Sequence, residues 1–366
     1  MAKNNPFKFG TVVDEPFFTN RKNELKQIKD VLKSGNHLIV IGPRRYGKTS
    51  LILKAVRELD RKHLFLDLQL VTGVNDLTAR LLKRIYRIFP TERIKQFIKH
   101  FRIVPTLNIN PVTSEIDISF QPGTDTLPLL EDVFNLLEKL GKSDDRLIVV
   151  MDEFQDINRI ESGLDKKLRA VIQHHKNVNY LFLGSVETMM REIFERKNAP
   201  FYHFGQVMPL EKIPHGDFYN YLSERFKDLC GEQNKRISEN ILETTQRHPY
   251  YTQQLAFAVW NVCREEQAGV AVPKAVDLLI KTHDIDYERL WYTQNQTSKK
   301  LLIALSEGQK NILTASVLTK YGVNATSTAY SSLQKLMKSG YVIKTENGYE
   351  LDDPFFALWI KRKREE

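Results

Sequence analysis

Cysteine is scarce: Cys230 and Cys263 are the only two in 366 residues. Two cysteines cannot build a disulfide framework, and these lack metal-site spacing. Paired or catalytic roles are therefore not expected, and a reducing compartment is the natural reading. No run of eighteen apolar residues occurs, which excludes an ordinary membrane-spanning helix. The opening Met1-Ala-Lys-Asn-Asn-Pro-Phe-Lys-Phe9 has no apolar core of a secretory signal, so the expected location is cytoplasmic. Internal repeats and low-complexity tracts are also absent. Acidic residues are outnumbered, 45 against 54 basic, giving a net charge of +9 that permits acidic partners without identifying one. At 42% apolar residues the chain can bury large cores, and its length suggests two or three domains.

What is present is a strong phosphate-binding signal. Ile39-Val-Ile-Gly-Pro-Arg-Arg-Tyr-Gly-Lys-Thr-Ser-Leu51 ends a short apolar run in Gly42 and places Gly47-Lys48-Thr49 at P-loop spacing. Glycines at both ends let the loop Gly42, Pro43, Arg44, Arg45, Tyr46, Gly47 wrap a phosphate with its N–H groups inward. A helix starting near Lys48 and running through Ser50 adds its positive dipole end. Lys48 would meet the β- and γ-phosphates, and the Thr49 hydroxyl would ligate Mg²⁺. The pattern sits between an expected strand, His37–Ile41, and a helix-like run, Ser50–Leu59, as a nucleotide loop requires.

Upstream, a helix is expected over Asn23–Lys33 with Asn20 as its N-cap. Downstream, His63–Leu68 reads as a buried strand and Asn75–Phe89 as an amphipathic helix. Phe101–Ile109 and Glu115–Phe120 alternate in polarity around Asn110–Ser114, predicting an inserted hairpin, either a contact arm or a cap on the sheet. After the helix Leu127–Leu140, the run Arg146-Leu-Ile-Val-Val-Met-Asp-Glu-Phe-Gln-Asp156 predicts a buried strand with Asp152 and Glu153 at its C-terminal end. Ligand sites of open α/β sheets lie there. Asp152 would hold the Mg²⁺ shell, and Glu153 would act as general base on water. Asn179–Ser185 and Gly205–Leu210 complete five expected strands. Ser185 admits two readings, a γ-phosphate contact or a turn residue.

After Pro214 the strands stop. Helices are expected at His215–Asp228, Ile237–Thr245, Tyr251–Glu265 and Val272–Asp286. Pro249 suits the first position of a helix, and His248 before it suits either anion contact or a cap. Lys299–Glu307, Ala315–Tyr321 and Ser327–Ser339, with two short strands about Asn347-Gly348, describe a winged helix. Ser327–Ser339 would read a groove in a DNA-binding version, offering Gln334, Lys335 and Lys338. Lys299–Glu366 holds eleven basic and seven acidic residues, and the basic end Lys361–Arg364 reads as a solvated tail. DNA binding and protein docking both stay open.

The chain resembles the archaeal ATPase family, a STAND-class branch of the P-loop ATPases related to the AAA+ fold. The likeness spans about Pro16 to Lys363. It rests on Phe18-Thr-Asn-Arg21 with Glu24-Leu25, Gly42–Ser50, Val150–Gln155, Leu183-Gly-Ser185, His248-Pro249 and Asp353–Trp359. It implies an ATPase core with strand order 5-1-4-3-2, a helical lid and a C-terminal winged helix. It also implies ATP rather than GTP, Phe18 and Arg21 near the adenine, and His248 and Pro249 on a lid facing the nucleotide. The expected divisions are a core over 1–212 with the hairpin at about 101–120, a lid over 213–290 and a winged helix over 291–366. One departure stands out. Where the family often carries an arginine before the fifth strand, this chain has Phe204; Arg191 and Arg196 are the nearby substitutes.

These expectations converge on an ATP-driven switch, with hydrolysis slow or dependent on a partner. A DNA-binding regulator with structural nucleotide is the alternative. A small-molecule kinase fits less well, because Asp152-Glu153 suits activation of water rather than of a substrate hydroxyl.

Overall fold

The computed structural model describes residues 4–109, 116–120 and 127–365. The expected hairpin turn Asn110–Ser114 lies outside them. Two compact units result: a sheet unit of Lys22–Gly42 and Lys48–Leu210, and a helical unit of the N-terminal segment to Arg21, the loop Pro43–Gly47 and everything from Glu211.

The strands of the sheet unit are β1 (Leu38–Ile41), β2 (His63–Asp67), β3 (Thr106–Ile109), β4 (Ile116–Ser119), β5 (Leu147–Asp152), β6 (Val178–Gly184) and β7 (Gln206–Pro209). Its helices are α1 (Lys22–Ser34), α2 (Lys48–Glu58), α3 (Val74–Ile88), α4 (Thr91–Ile98), α5 (Leu127–Leu140), α6 (Ile157–Ile160), α7 (Leu164–Ile172) and α8 (Glu187–Phe194). Five strands form one parallel sheet in the order β2-β5-β6-β1-β7, which is the expected order. Composition explains the placement. The continuous apolar runs of β1, β5 and β6 are buried along their whole lengths, as strands covered on both faces must be, while β2 alternates and β7 lies at an edge. The pair β3–β4 is antiparallel and packs on α3.

Phe154, Phe182, Phe194 and Phe201 form a knot at one end of this core, with ring centroids 4.5 to 5.6 Å apart. Each fully buried ring contributes about 2–3 kcal/mol of apolar transfer, with offset aromatic contacts adding to it. Phe154 follows Glu153 directly, so the knot fixes the backbone that carries this carboxylate.

The helical unit contains α9 (His215–Cys230), α10 (Asn234–Thr245), α11 (Pro249–Glu265), α12 (Ala271–Thr282), α13 (Asp284–Tyr292), α14 (Gln296–Ser306), α15 (Ala315–Lys320), α16 (Thr326–Lys338) and α17 (Pro354–Glu365), with β8 (Val342–Thr345) paired antiparallel to β9 (Gly348–Leu351). The last four helices with the β8–β9 wing form the winged helix. The N-terminal segment packs onto α9 and α11: Phe7 is buried among Tyr221, Phe226 and Trp260, and Asn5 donates to the Phe257 carbonyl at 3.0 Å.

Several expectations are corrected. Asn20 is not adjacent to α1, which starts at Lys22; its carboxamide donates to Asp217 at 2.8 Å. Val272–Asp286 is two helices, because His283 leaves helical geometry at φ −102°, ψ 5°. Lys361–Arg364 is no loose tail but the last turn of α17, where Arg362 pairs with Asp277 and Arg364 with Glu307. The cysteines are brought together. Both are free thiols; the neighbouring Cys263, then burial, push Cys230 up, while Cys230 holds Cys263 down against the effect of burial.

Candidate functional site

In the sheet unit the carboxyl ends of β1, β5 and β6 bring the expected core residues together. β1 runs into Gly42, and α2 begins at Lys48. Lys48 is buried, and its ammonium donates to the Gly42 carbonyl at 2.7 Å. Thr49 Oγ1 donates to Asp152 Oδ2 at 2.8 Å. Burial raises the Asp152 pKa, assisted by the Glu153 charge and opposed by the Thr49 hydrogen bond and Lys48. A carboxylate held against its own charge in this way gains from a cation.

Glu153 adopts the left-handed conformation at φ 52°, ψ 43°, and its N–H donates to Asp152 Oδ1 at 3.0 Å. That unusual geometry turns two successive acids apart, and the phenylalanine knot sustains it. Ser185 Oγ donates to Glu153 Oε2 at 2.6 Å, and the Gln155 amide donates to the same oxygen. Gln155 is absent from the sequence expectations; only its place two residues after Glu153 hints at it. Gly184 is required here by close approach. A Cβ on it would lie 2.3 Å from Met190 and 2.7 Å from Gln155 Oε1.

Among the described residues no group of three or more His, Cys, Asp or Glu could cage a metal. The Thr49 hydroxyl beside the buried Asp152 carboxylate nevertheless fits Mg²⁺, which takes hard oxygen ligands and keeps waters and substrate phosphates in its remaining positions.

Phe204 lies at the other end of these strands. Its ring stacks on His37, just before β1, at 4.4 Å, and the Arg169 guanidinium sits 4.5 Å above it. Burial, then Arg169 and His175, lower the His37 pKa to about 4. Arg191 is held by Glu187 of its own helix and by Glu195 just past its end, at 2.8 and 2.7 Å.

The helical unit holds the remaining candidates. Phe18 is half-buried, its N–H donating to the Asp14 carbonyl at 3.0 Å. Arg21 is buried in the left-handed region at φ 63°, and it donates to the Glu211 carbonyl at 2.6 Å. In the loop, Arg44 is exposed, Pro43 is half-buried and Gly47 has φ 85°, a conformation that explains the glycine. Tyr46 is buried with its ring edge-on to His248 at 4.9 Å; burial, then Asp352 and Glu350, push its hydroxyl pKa up. Pro249 is the first residue of α11, and His248 is its N-cap, Nδ1 accepting from Tyr250 N at 3.2 Å and Tyr251 N at 3.5 Å. The capping reading is thus realised. Because Nδ1 accepts, the ring proton sits on Nε2, which faces Asp352 Oδ1 at 3.5 Å. Lys212 pairs with Glu350. Lys212, Tyr251, Glu350 and Asp352 escape sequence reasoning, since nothing periodic joins them.

Comparison with known proteins agrees with the fold. Residues 18–255 match the family described as "ATPase domain predominantly from Archaea", and residues 285–362 match "Probable winged helix domain". The chain is similar to the Walker-type ATPase PABY2304 of Pyrococcus abyssi at 18% identity, covering 95% of this chain and 97% of that one with a TM-score of 0.67. It is also similar to the Aeropyrum pernix ORC2 protein in its ADPNP–ADP complexes, at 15% identity, 98% and 100% coverage and a TM-score of 0.57. At such identities the likeness shows the fold alone. No curated protein sequence matches. With the family matched over most of its length, around a P-loop sheet of the expected order, the chain belongs to the ATPase-domain family found predominantly in Archaea and ends in a winged helix.

Proposed function

We propose that this ATPase is a switch: ATP binding and hydrolysis reposition a helical lid and winged helix to control a macromolecular partner. The carrying observation is the placement of Thr49–Asp152 beside Glu153–Ser185 at the carboxyl ends of the central strands. In this reading Lys48 exchanges its bond to the Gly42 carbonyl for phosphate oxygens. Thr49 and Asp152 hold Mg²⁺, which when bound neutralises phosphate charge. Both donors to Glu153 use Oε2, leaving Oε1 to accept a proton from water as that water attacks the γ-phosphorus and the bond to the bridging oxygen breaks. Phe18, Arg21, His248 and Pro249 complete the adenine and lid contacts, with ATP preferred over GTP. We further assign the chain to the STAND branch, with the core, lid and winged-helix divisions given above.

Phe204 supplies no cation, so turnover is slow or partner-stimulated; an arginine finger elsewhere is worth about 10³–10⁵ in rate. Phosphate release with and without DNA, comparing the parent with Glu153→Gln, tests the reading. Parent-level turnover by E153Q would remove Glu153 as the base.

A second reading, a DNA-binding regulator with structural nucleotide, is favoured by one feature. The outer face of α16 exposes Ser327, Tyr330, Ser331, Lys335 and Lys338. Duplex affinity that falls with rising salt, without turnover, would support it; no duplex binding at low salt would end it.

A further inference from the structure

We propose that the exposed sides of α3 and α4, in the sheet unit, form a docking surface for the phosphate backbone of duplex DNA. The residues concerned belong neither to the nucleotide site nor to α16, and neither reading above uses them.

Residues 80–102 hold eight Lys or Arg against one acid, Glu92. That net +7 compares with +9 for all 366 residues, so one short stretch carries most of the chain's excess charge. The fold neutralises only part of it. Arg80 pairs with Asp76, Lys83 with Asp117, and Arg102 with Glu131 and Asp132, at 2.7 to 3.1 Å. Arg93 donates to the Leu140 carbonyl at 3.4 Å. Among the described residues Arg84, Arg87, Lys95 and Lys99 make no ion pair, and all four are exposed.

Helix geometry sets these cations in line. Leu77, Leu81, Leu82 and Ile85 bury one side of α3. Arg80, Arg84 and Arg87, spaced four and then three residues, lie along the other side. They span about 10.5 Å of rigid helix, or about three phosphate steps of roughly 3.4 Å along one strand of a duplex. The helix dipole favours cations in the last turn, which accounts for Arg87 but not for Arg84 before it. In α4, Ile94 and Ile98 are buried, leaving Lys95 and Lys99 one turn apart on the outer side. Only Phe89 and Pro90 separate the two helices.

The chemistry selects among polyanions. Arginine forks grip phosphate oxygens in pairs, and a row of fixed cations suits a chain of fixed negative charges. A helix that lies on a membrane needs large apolar residues exposed beside its cations, and neither α3 nor α4 exposes one. Single strands are held by stacking on exposed aromatic rings. Here Tyr86 and Phe89 are buried and Phe97 is half-buried, so the surface offers charge without a stacking platform. A duplex, whose bases are already stacked, asks for nothing more.

Anisotropy of a fluorescent DNA duplex of about 30 base pairs, titrated with the full chain at roughly 0.05–0.3 M salt, tests this. The parent should bind with an affinity that falls as salt rises. Each lost phosphate contact removes about 0.9 from the log–log salt slope, so a variant combining Arg84→Gln, Arg87→Gln, Lys95→Gln and Lys99→Gln should lose about 3 to 4 from that slope and more than about a hundredfold in affinity at about 0.1 M salt. Lys335→Gln with Lys338→Gln measures the share of α16, and the two sets of losses should add, because the sites have no residue in common. Phosphate release without DNA and a melting temperature near the parent's establish that the four-site variant folds. A parent-like affinity and slope in that variant would overturn the surface and leave α16 and the switch reading standing. No duplex binding by the parent at the lowest salt would overturn it together with the DNA reading of α16. Tighter binding to single strands, duplex RNA or phosphatidylserine vesicles than to duplex DNA would overturn the choice of partner.

Discussion

The two units hold their charged groups by opposite means. In the sheet unit, Lys48, Thr49, Asp152, Glu153 and Ser185 sit at the ends of buried strands, just beyond them or at a helix start, so neighbouring backbone fixes each one. In the helical unit, Arg45 is held by Tyr251 and Asp353 by Tyr287, each pair across a long stretch of chain. The first arrangement gives chemistry that tolerates little movement.

The sharpest test of the first arrangement is at Glu153. Glu153→Gln keeps a hydrogen-bonding group beside Ser185 but removes the carboxylate proposed to accept the proton, so hydrolysis should fall about 10²–10⁴-fold while ATP binding persists. Lys48→Ala should instead abolish binding, read as loss of fluorescent-nucleotide signal. If both variants lost binding equally, the division of roles between these residues would fail.

The placement of these residues was legible in the sequence because its determinants are local. The P-loop spacing, the Asp152-Glu153 pair after an apolar run and the Asn347-Gly348 turn each declare a geometry within a dozen residues. The rest had no such signal. α4 and α6–α8 are short helices among polar loops, too brief for a clear period. The break at His283 interrupts an apolar pattern that continues through it. Arg45 and Tyr251 lie 206 positions apart, and the Cys230–Cys263 contact also depends on tertiary packing. Phe204 was legible only as a missing arginine; its stacking on His37 comes from the fold.

The acid limit should belong to the sheet unit. His37 has its pKa lowered from 6.5 to about 4, and its Nδ1 accepts the Tyr180 N–H at 3.2 Å. Between these values the unfolded chain binds the proton and the folded chain does not, so stability rises with pH across the window. It is intact above 6.5 and falls by about 3 kcal/mol as pH drops to 4. Burial lowers the His175 pKa as well, adding in the same direction. Urea midpoints across pH 4–7 should lose most of this slope in His37→Gln; an unchanged slope would assign it elsewhere.

Gly184 probes how tightly the Glu153 end of the sheet is packed. Gly184→Ala places a methyl group 2.3 Å from Met190 and 2.7 Å from Gln155 Oε1, so one must move. The expected loss is about 1–3 kcal/mol in denaturant melts. Because Gln155 also donates to Glu153, hydrolysis should drop along with stability. Met190→Ala in the same chain should recover part of the stability. No recovery would mean that the strain falls on Gln155 instead.

The smallest effect concerns the source of positive charge. Arg191 is the obvious replacement for the arginine missing at Phe204, but it is 44% exposed and bridges Glu187 and Glu195 one turn away on either side. Such pairs contribute only about 0.3–0.5 kcal/mol each, so Arg191→Ala should cost less than about 1 kcal/mol. A guanidinium already shared by two carboxylates would have to abandon both to reach a phosphate, whereas Lys48 gives up one backbone carbonyl. Turnover of the isolated chain should therefore change less than about twofold in R191A, since only groups that stabilise the transition state alter it. A tenfold loss would place Arg191 against the phosphates and return the missing cation to this chain. An unchanged rate leaves Arg191 in its two ion pairs on the helix surface.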